Sequence, residues 1–303
     1  MKFRPVLPLV VLLSAPLANA QTAPVPPVTP PVTAPAPESV QFTTKLTPGS
    51  IRSYKVTVDQ KGTLSIPGSG QTMPIDAKVT SYVKMIVDKQ NADGTYAAHI
   101  KLGGVKMTSN SPMPMPPVQD SYEVKGTIGK DGLFTADPTV DKKPGNALGM
   151  SPAETMTGIF RSLSAVPLTS VAVGDSWSSV IPLPLDPSGK SQIAVTSKLL
   201  GVDAVTGDRV ARVQRDIEGP VNLQLTEPMP LSITGTMKGS GVSKVSVTSG
   251  QPLQDDSKVH LKMTIQAPNS AGNGEQTNMG LDMDLTTKVE SSVADVKPKA
   301  NAK

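Results

Sequence analysis

From about Val40 onward, apolar and polar residues alternate one for one along most of the chain. In "DAKVTSYVKMIVD" (76–88), Ala77, Val79, Val83, Met85 and Val87 fall on one side of an extended backbone. Lys78, Thr80, Lys84 and Asp88 fall on the other. "KVHLKMTIQ" sets Val259, Leu261, Met263 and Ile265 against Lys258, His260, Lys262 and Thr264. "NMGLDMDLTTKVE" sets Met279, Leu281, Met283 and Leu285 against Asp282, Asp284 and Thr286. A period of two predicts antiparallel strands with one solvated and one buried face. Ala92-Asp93-Gly94 and Thr206-Gly207-Asp208 have the composition of hairpin turns between such strands. One segment, "MSPAETMTGIFRSLSA", leaves the period. Ser151 serves as N-cap, Pro152 takes the first helical position and Glu154 closes a capping box. Met156, Ile159, Phe160 and Leu163 then share a face, which predicts a single helix at about 151–164.

The stretches on either side of that segment run in parallel. Each opens with glycine and an aromatic strand, "PGSIRSYKVTV" or "VGDSWSSVIPL". Each continues through a glycine turn into "TYAAHIKL" or "DRVARVQR", then a Met-Pro connection, "PMPMPP" (112–117) or "EPMPL" (227–231). Each then reaches a Gly-Thr strand with a second glycine, "GTIGKDG" or "GTMKGSG". This order points to an internal duplication. The expected fold is mostly β, with two duplicated antiparallel units forming curved sheets or a partial barrel and one central helix. The first β unit spans 40–150, the helix and its connection 151–170, and the second β unit 171–292.

The ends of the chain have a different character. Lys2 and Arg4 precede an apolar run from Val6 to Leu13, and Ala18-Asn19-Ala20 provides a small-x-small cleavage site. That is the layout of a signal peptide over 1–20, and it predicts an extracytoplasmic protein, periplasmic or secreted. The run is too short to span a bilayer, which takes about 20 residues. No later stretch is longer, so no transmembrane segment is expected after cleavage. Residues 21–39 form a Pro-rich linker in which closely spaced prolines favour polyproline II over sheet. Residues 293–303 end in "VKPKANAK", a lysine-containing tail expected to be disordered.

Composition removes several kinds of chemistry. The chain has no cysteine, which excludes disulfides, thiol catalysis, zinc–thiolate sites, iron–sulfur clusters and acylation of a lipoprotein cysteine. Lys2 and Arg4 account for part of the net charge of +4, and no basic block stands in the body of the chain, so nucleic acid is not an expected partner. Gly174-Asp175-Ser176 matches a hydrolase tripeptide, but the stretch after Ser176 reads as strand where that chemistry needs a strand-to-helix turn. The two histidines, His99 and His260, fall on polar strand faces, and neither has a carboxylate evident in sequence to hold a tautomer. "KQNADGTYAAHI" has Lys89 and Ile100 where a calcium loop needs its first and last ligands, and it reads as a hairpin turn. Asp282 and Asp284 read as a solvated face. No catalytic residue, metal or cofactor is expected.

The methionines stand apart. Thirteen of them in a chain with few aromatics serve first as core filler. Met113 and Met115 also have thioether spacing that suits Cu(I). A third reading makes Met113, Met115 and Met229 flexible apolar lips for a lipid-like ligand. With its capped segment followed by "VPLTSVAVGDSWSSV", the chain resembles an uncharacterised family of secreted bacterial proteins that carry a Gly-Asp-x-Trp strand start after a mid-chain helix. The resemblance covers about residues 40–292 and implies no activity. In architecture alone, the expected sheet and helix are similar to periplasmic carriers of lipids and lipoproteins. The expected function is therefore non-enzymatic: an exported protein binding an apolar ligand or cell-envelope component, such as a wall polymer. The alternative is a structural or interaction module with a filled core.

Overall fold

The computed structural model describes residues 38–66, 70–110, 121–137, 166–167, 169–182, 192–205, 207–225, 230–268 and 276–294. A short strand, β1 (Ser39–Val40), precedes β2 (Ile51–Ile66), β3 (Gln71–Gln90), β4 (Tyr96–Ser109), β5 (Ser121–Ile128) and β6 (Phe134–Ala136). Then come β7 (Val171–Ala172), β8 (Ser176–Pro182), β9 (Gln192–Val205), β10 (Asp208–Leu225), β11 (Leu231–Ser246), β12 (Pro252–Pro268) and β13 (Gln276–Ala294). Among the described residues there is no helix, and the helix expected at about 151–164 falls outside them. The last strand ends at Ala294, past the boundary expected at 292.

β1 pairs with β7, and the other eleven strands form one antiparallel sheet in the order β6-β5-β4-β3-β2-β13-β12-β11-β10-β9-β8. The chain thus enters at mid-sheet and walks out to the β6 edge. It re-enters at the β8 edge and walks back until β13 lies beside β2. The sheet is open, not a closed barrel, and strands from both expected β units lie within it. Their junction is the β2–β13 ladder, registered from Gly280–Ser65 to Ala294–Ile51.

Burial follows the period of two. In β3, Ala77, Val79, Val83, Met85 and Val87 are buried while Lys78 and Lys84 are exposed. In β12, Val259, Leu261, Met263 and Ile265 are buried. Val83, Met85 and Val87 and these β12 residues join those of β2, β4, β5, β6, β9, β10, β11 and β13 in one apolar cluster on one side of the sheet. Glycine lets paired strands close on that side. A Cβ on Gly62 would stand 2.7 Å from Met283 Cα, and one on Gly235 2.7 Å from Met263 Cα. Met283 and Met263 are their direct cross-strand partners, so only a residue without a side chain permits the approach.

The outer side is solvated, and opposite charges face each other across several of its strand pairs. One registered row reads Glu218, Lys238, His260, Asp284, Lys61, Asp76. Opposite charges facing each other contribute a few tenths to about 1 kcal/mol per pair, and a one-residue slip would bury them, so the row pins the register.

The segment after Glu38 straps one end of the sheet. Thr43 N–H donates to Val247 O and Lys45 N–H to Thr248 O, each at 3.0 Å, and Arg209 Nη2 lies 2.6 Å from Glu38 Oε1. Val40 and Phe42 are thereby buried in a second cluster with Val171, Leu199, Ala211, Val213 and Val245.

Candidate functional site

In β10 the apolar side carries Ala211, Val213, Arg215 and Ile217 in succession. A guanidinium thus occupies a position that the period assigns to a hydrophobe. Arg215 is only 1 % exposed. Its cross-strand neighbours are Ser197 in β9 and Gly241 in β11. The same register continues outward from Ser197 to Trp177 in β8, and onward from Gly241 to Ser257 in β12 and Thr287 in β13. One row across the buried side therefore reads Trp177, Ser197, Arg215, Gly241, Ser257, Thr287. Ser197, Ser257 and Thr287 are all buried. On β9, β10 and β11 the row lies between the two apolar clusters, with Leu199, Val213 and Val245 on one side and Val195, Ile217 and Met237 on the other.

Asp255, also buried, supplies the counter-charge, with its Oδ1 3.9 Å from Arg215 Nη1. It accepts hydrogen bonds from the Ser243 hydroxyl, its cross-strand neighbour, and from Ser257. Burial pushes the Asp255 carboxyl up, against the attraction of Arg215 and these hydrogen bonds. Burial likewise lowers the Arg215 guanidinium, against the attraction of Asp255. An approach of 3.9 Å is not the close bidentate fork in which Arg and a carboxylate saturate one another.

Next to it, polar atoms lack partners. Trp177 Nε1, Ser179 Oγ and Ser197 Oγ are shut off from solvent and make no hydrogen bond. Trp177 and Ser179 are successive residues on the same side of β8, and Ser197 and Val195 are their cross-strand neighbours. A buried polar atom left unsatisfied costs about 1–3 kcal/mol, so each of these three on β8 and β9 calls for a partner. Indole N–H and guanidinium only donate, and the hydroxyls can donate as well.

The period of two did not single out this row, although the alternation contains it. Ser197 sits between Val195 and Leu199, Arg215 between Val213 and Ile217, and Thr287 between Leu285 and Val289, each a polar residue in an apolar slot.

The expected lips, Met113, Met115 and Met229, lie outside the described residues. Gly174 and Asp175 form a turn. Gly174 has φ of +97°, and Asp175 accepts the Ala172 N–H on its carboxylate at 2.8 Å. The turn is hooked to β9 by Gly174 N–H to Leu199 O and Leu199 N–H to Asp175 O. Ser176 is exposed at the start of β8, and Trp177 is half-buried against the second cluster, 6.4 Å from Phe42.

The expectation that the histidines lack carboxylate partners is corrected. His99 Nδ1 lies 2.9 Å from Asp88 Oδ1, and His260 Nδ1 lies 2.9 Å from Asp284 Oδ1, with Asp282 at 3.6 Å from its Nε2. Sequence distance hid these pairs, because β12 and β13 bring His260 and Asp284 opposite each other. Among the described residues no group of His, Asp and Glu is arranged to hold a metal. Asn91 to Thr95 forms a turn, with Thr95 N–H donating to Asp93 Oδ1 at 3.0 Å. A groove of about 470 Å³ lies near Thr63, Thr234, Lys262, Thr264 and Asp282. These side chains belong to the solvated side, so they need no partner beyond water.

No family model and no curated protein matches the chain. Among solved structures, DynF from the dynemicin biosynthesis pathway of Micromonospora chersina is 10% identical. That match covers 92% of this chain and 94% of DynF, with a TM-score of 0.22. A DUF1329 family protein from Desulfovibrio piger is 12% identical over 82% of this chain and 87% of its own, with a TM-score of 0.15. Likenesses this slight carry no argument about fold or activity.

Proposed function

We propose that this is an exported, non-enzymatic protein that binds an apolar ligand against the buried side of its sheet. One observation carries the reading: a single apolar side, drawn from ten strands, is crossed by a buried polar row whose donors lack partners at the β8 edge. A core built only for stability gains nothing from such atoms, whereas a binding site requires them. The basic start, apolar run and Ala18-Asn19-Ala20 support export. Cleavage after Ala20 leaves Gln21 as the first residue, which intact-mass measurement on exported protein checks; retention of Met1 to Ala20 rejects it.

A duplication accounts for the two halves of the sheet. β2 to β5 correspond to β8 to β11, with Gly49 and Gly174 before the first strands and Gly94 and Gly207 in the turns before the third, all four at positive φ. The final pair departs from this pattern. Gly132 lies in a turn and has positive φ, while Gly241 lies inside β11.

The test of binding uses the neutral probe N-phenylnaphthylamine. Saturable fluorescence enhancement at one probe per chain, reversed by a long-chain amphiphile, is the expected result. Absence of saturable binding returns the protein to a structural module with a filled core.

A further inference from the structure

The two edges of the sheet are not protected alike. At one edge, β6 is three residues long, and the stretch of β5 beyond it carries the exposed charges Glu123 and Lys125. Short edge strands and charged side chains keep a sheet from pairing with other chains. At the other edge, β8 (Ser176–Pro182) has no charged residue, and its ladder to β9 runs without a bulge. Val180 on this strand is 59 % exposed. We propose that β8 pairs antiparallel with β8 of a second copy of the chain, joining two sheets across a two-fold axis.

The backbone decides which groups meet. Gly174 N–H donates to Leu199 O and Leu199 N–H to Asp175 O, so Leu199 turns its backbone toward β8. Hydrogen-bonded residues recur at every second position of an antiparallel ladder, so Ser197 and Val195 do the same toward their neighbours Trp177 and Ser179. The N–H and C=O groups of Ser176, Ser178 and Val180 therefore point away from β9. Among the described residues no strand takes them up. A two-fold pairing must set residues with outward groups against one another. Centred on Ser178, it sets Ser178 against its own copy and Ser176 against Val180 of the second copy, each pair exchanging both hydrogen bonds. A centre at Ser179 would set Pro182, which has no N–H, against Ser176 and lose bonds there. Proline thus selects the register. Like charges directly opposite each other would count against a strand pairing with itself, and the paired stretch has none. Ser176, small and exposed, leaves room for Val180 of the second copy, whose apolar side chain is thereby covered.

Sedimentation of the full exported chain from micromolar to millimolar concentration should show a reversible monomer–dimer equilibrium, since one strand pair is a small interface. Ser178→Pro removes the N–H nearest the axis from each copy and should weaken the dimer at least about tenfold, the scale of the two hydrogen bonds lost. That N–H faces away from β9, so the variant should melt as the wild type does. Cysteine reads the register separately, because the chain has none of its own. Ser178→Cys places two cysteines at a bonded pair with Cα atoms about 5.5 Å apart, within disulfide reach. Ser176→Cys leaves them about 13 Å apart along the strand, out of reach. Mild oxidation should crosslink Ser178→Cys and not Ser176→Cys, an arm that decides even if the proline variant does not fold. A monomer at every concentration overturns the pairing and leaves the edge to a strand of another protein. A dimer as tight in Ser178→Pro as in the wild type also overturns it, as does crosslinking of Ser176→Cys in preference to Ser178→Cys.

Discussion

Arg215 and Asp255 face each other on the same buried side, yet they should respond unequally to losing the partner. Asp255→Ala leaves a guanidinium that does not shed its proton in a protein, and a buried charge stripped of its counter-ion costs about 3–5 kcal/mol. Arg215→Met leaves a carboxyl that burial already pushes toward its neutral form, so the site discharges itself by taking up a proton. The smaller loss is therefore expected for Arg215→Met, and denaturation curves showing the reverse order would refute this account of the pair. The same displacement gives a pH dependence with a definite sign. A folded chain whose Asp255 titrates high binds more protons than the unfolded chain, whose aspartates titrate near about 3.9. Its contribution to stability is full below that value and is lost as pH rises through the raised one. Asp208 has the opposite sign. Partial burial pushes its carboxyl up, but hydrogen bonds from Ser246, Thr248 and the Arg209 N–H together hold it below the usual range. Its contribution is present above about pH 3.9 and is lost as pH falls through its lowered value. Denaturant midpoints across this range should lose the fall with rising pH in Asp255→Asn, and lose part of the acid-side decline in Asp208→Asn.

At the scale of the strand, the period of two was a sufficient guide where each residue's side of the sheet depends only on its neighbours in sequence. Val79, Met85, Leu261 and Leu285 lie on the buried side for that reason. The turn glycines were legible too, since Gly94, Gly174 and Gly207 need a backbone conformation that other residues resist. The polar row was only half legible. Each polar residue in an apolar slot can be marked from the period, but its neighbour comes from another strand. Ser197, Arg215 and Gly241 meet through registers that no local pattern encodes, and so do His260 and Asp284. Glycines separate these two kinds of information experimentally. Gly174→Ala has no atom within 4 Å of the new Cβ, so its cost is the positive φ alone, about 1–2 kcal/mol. Gly235→Ala drives a methyl into Lys262 O and Met263 Cα of the next strand, so its cost is a backbone displacement, at or above the usual 1–3 kcal/mol of overpacking. Thermal melts should rank Gly235→Ala as the worse of the two. Trp177→Ala belongs between element and core. Its ring packs on Phe42 but is only half-buried, so the expected loss is about 2–3 kcal/mol, at or below the low end for a fully buried aromatic. Ser176→Ala beside it should stay within about 0.5 kcal/mol, as exposed substitutions do.

The whole molecule is closed by strands that are far apart in the chain. β2 and β13 pair along their length at the middle of the sheet, while β6 and β8, much nearer each other in sequence, end at opposite edges. A local pattern cannot reveal this closure, and it makes a late, costly step of folding, because a loop spanning most of the chain must close before the central ladder forms. Once formed, the ladder does not depend on the connection from β6 to β8. Its backbone hydrogen bonds run from Gly280–Ser65 to Ala294–Ile51, and one apolar cluster takes Tyr54, Val83 and Ile100 from one half and Leu261, Met283 and Leu285 from the other. A protease site inserted between 138 and 165 and cut after folding should therefore leave two fragments that co-elute under native conditions and separate only in denaturant. Leu285→Pro supplies the control. Proline at this buried, mid-ladder position removes a backbone donor and a core side chain together, so the cut variant should fall into two species. Separation of the wild-type fragments without denaturant would mean that the β2–β13 ladder does not hold the halves together, and that the chain between the edges does.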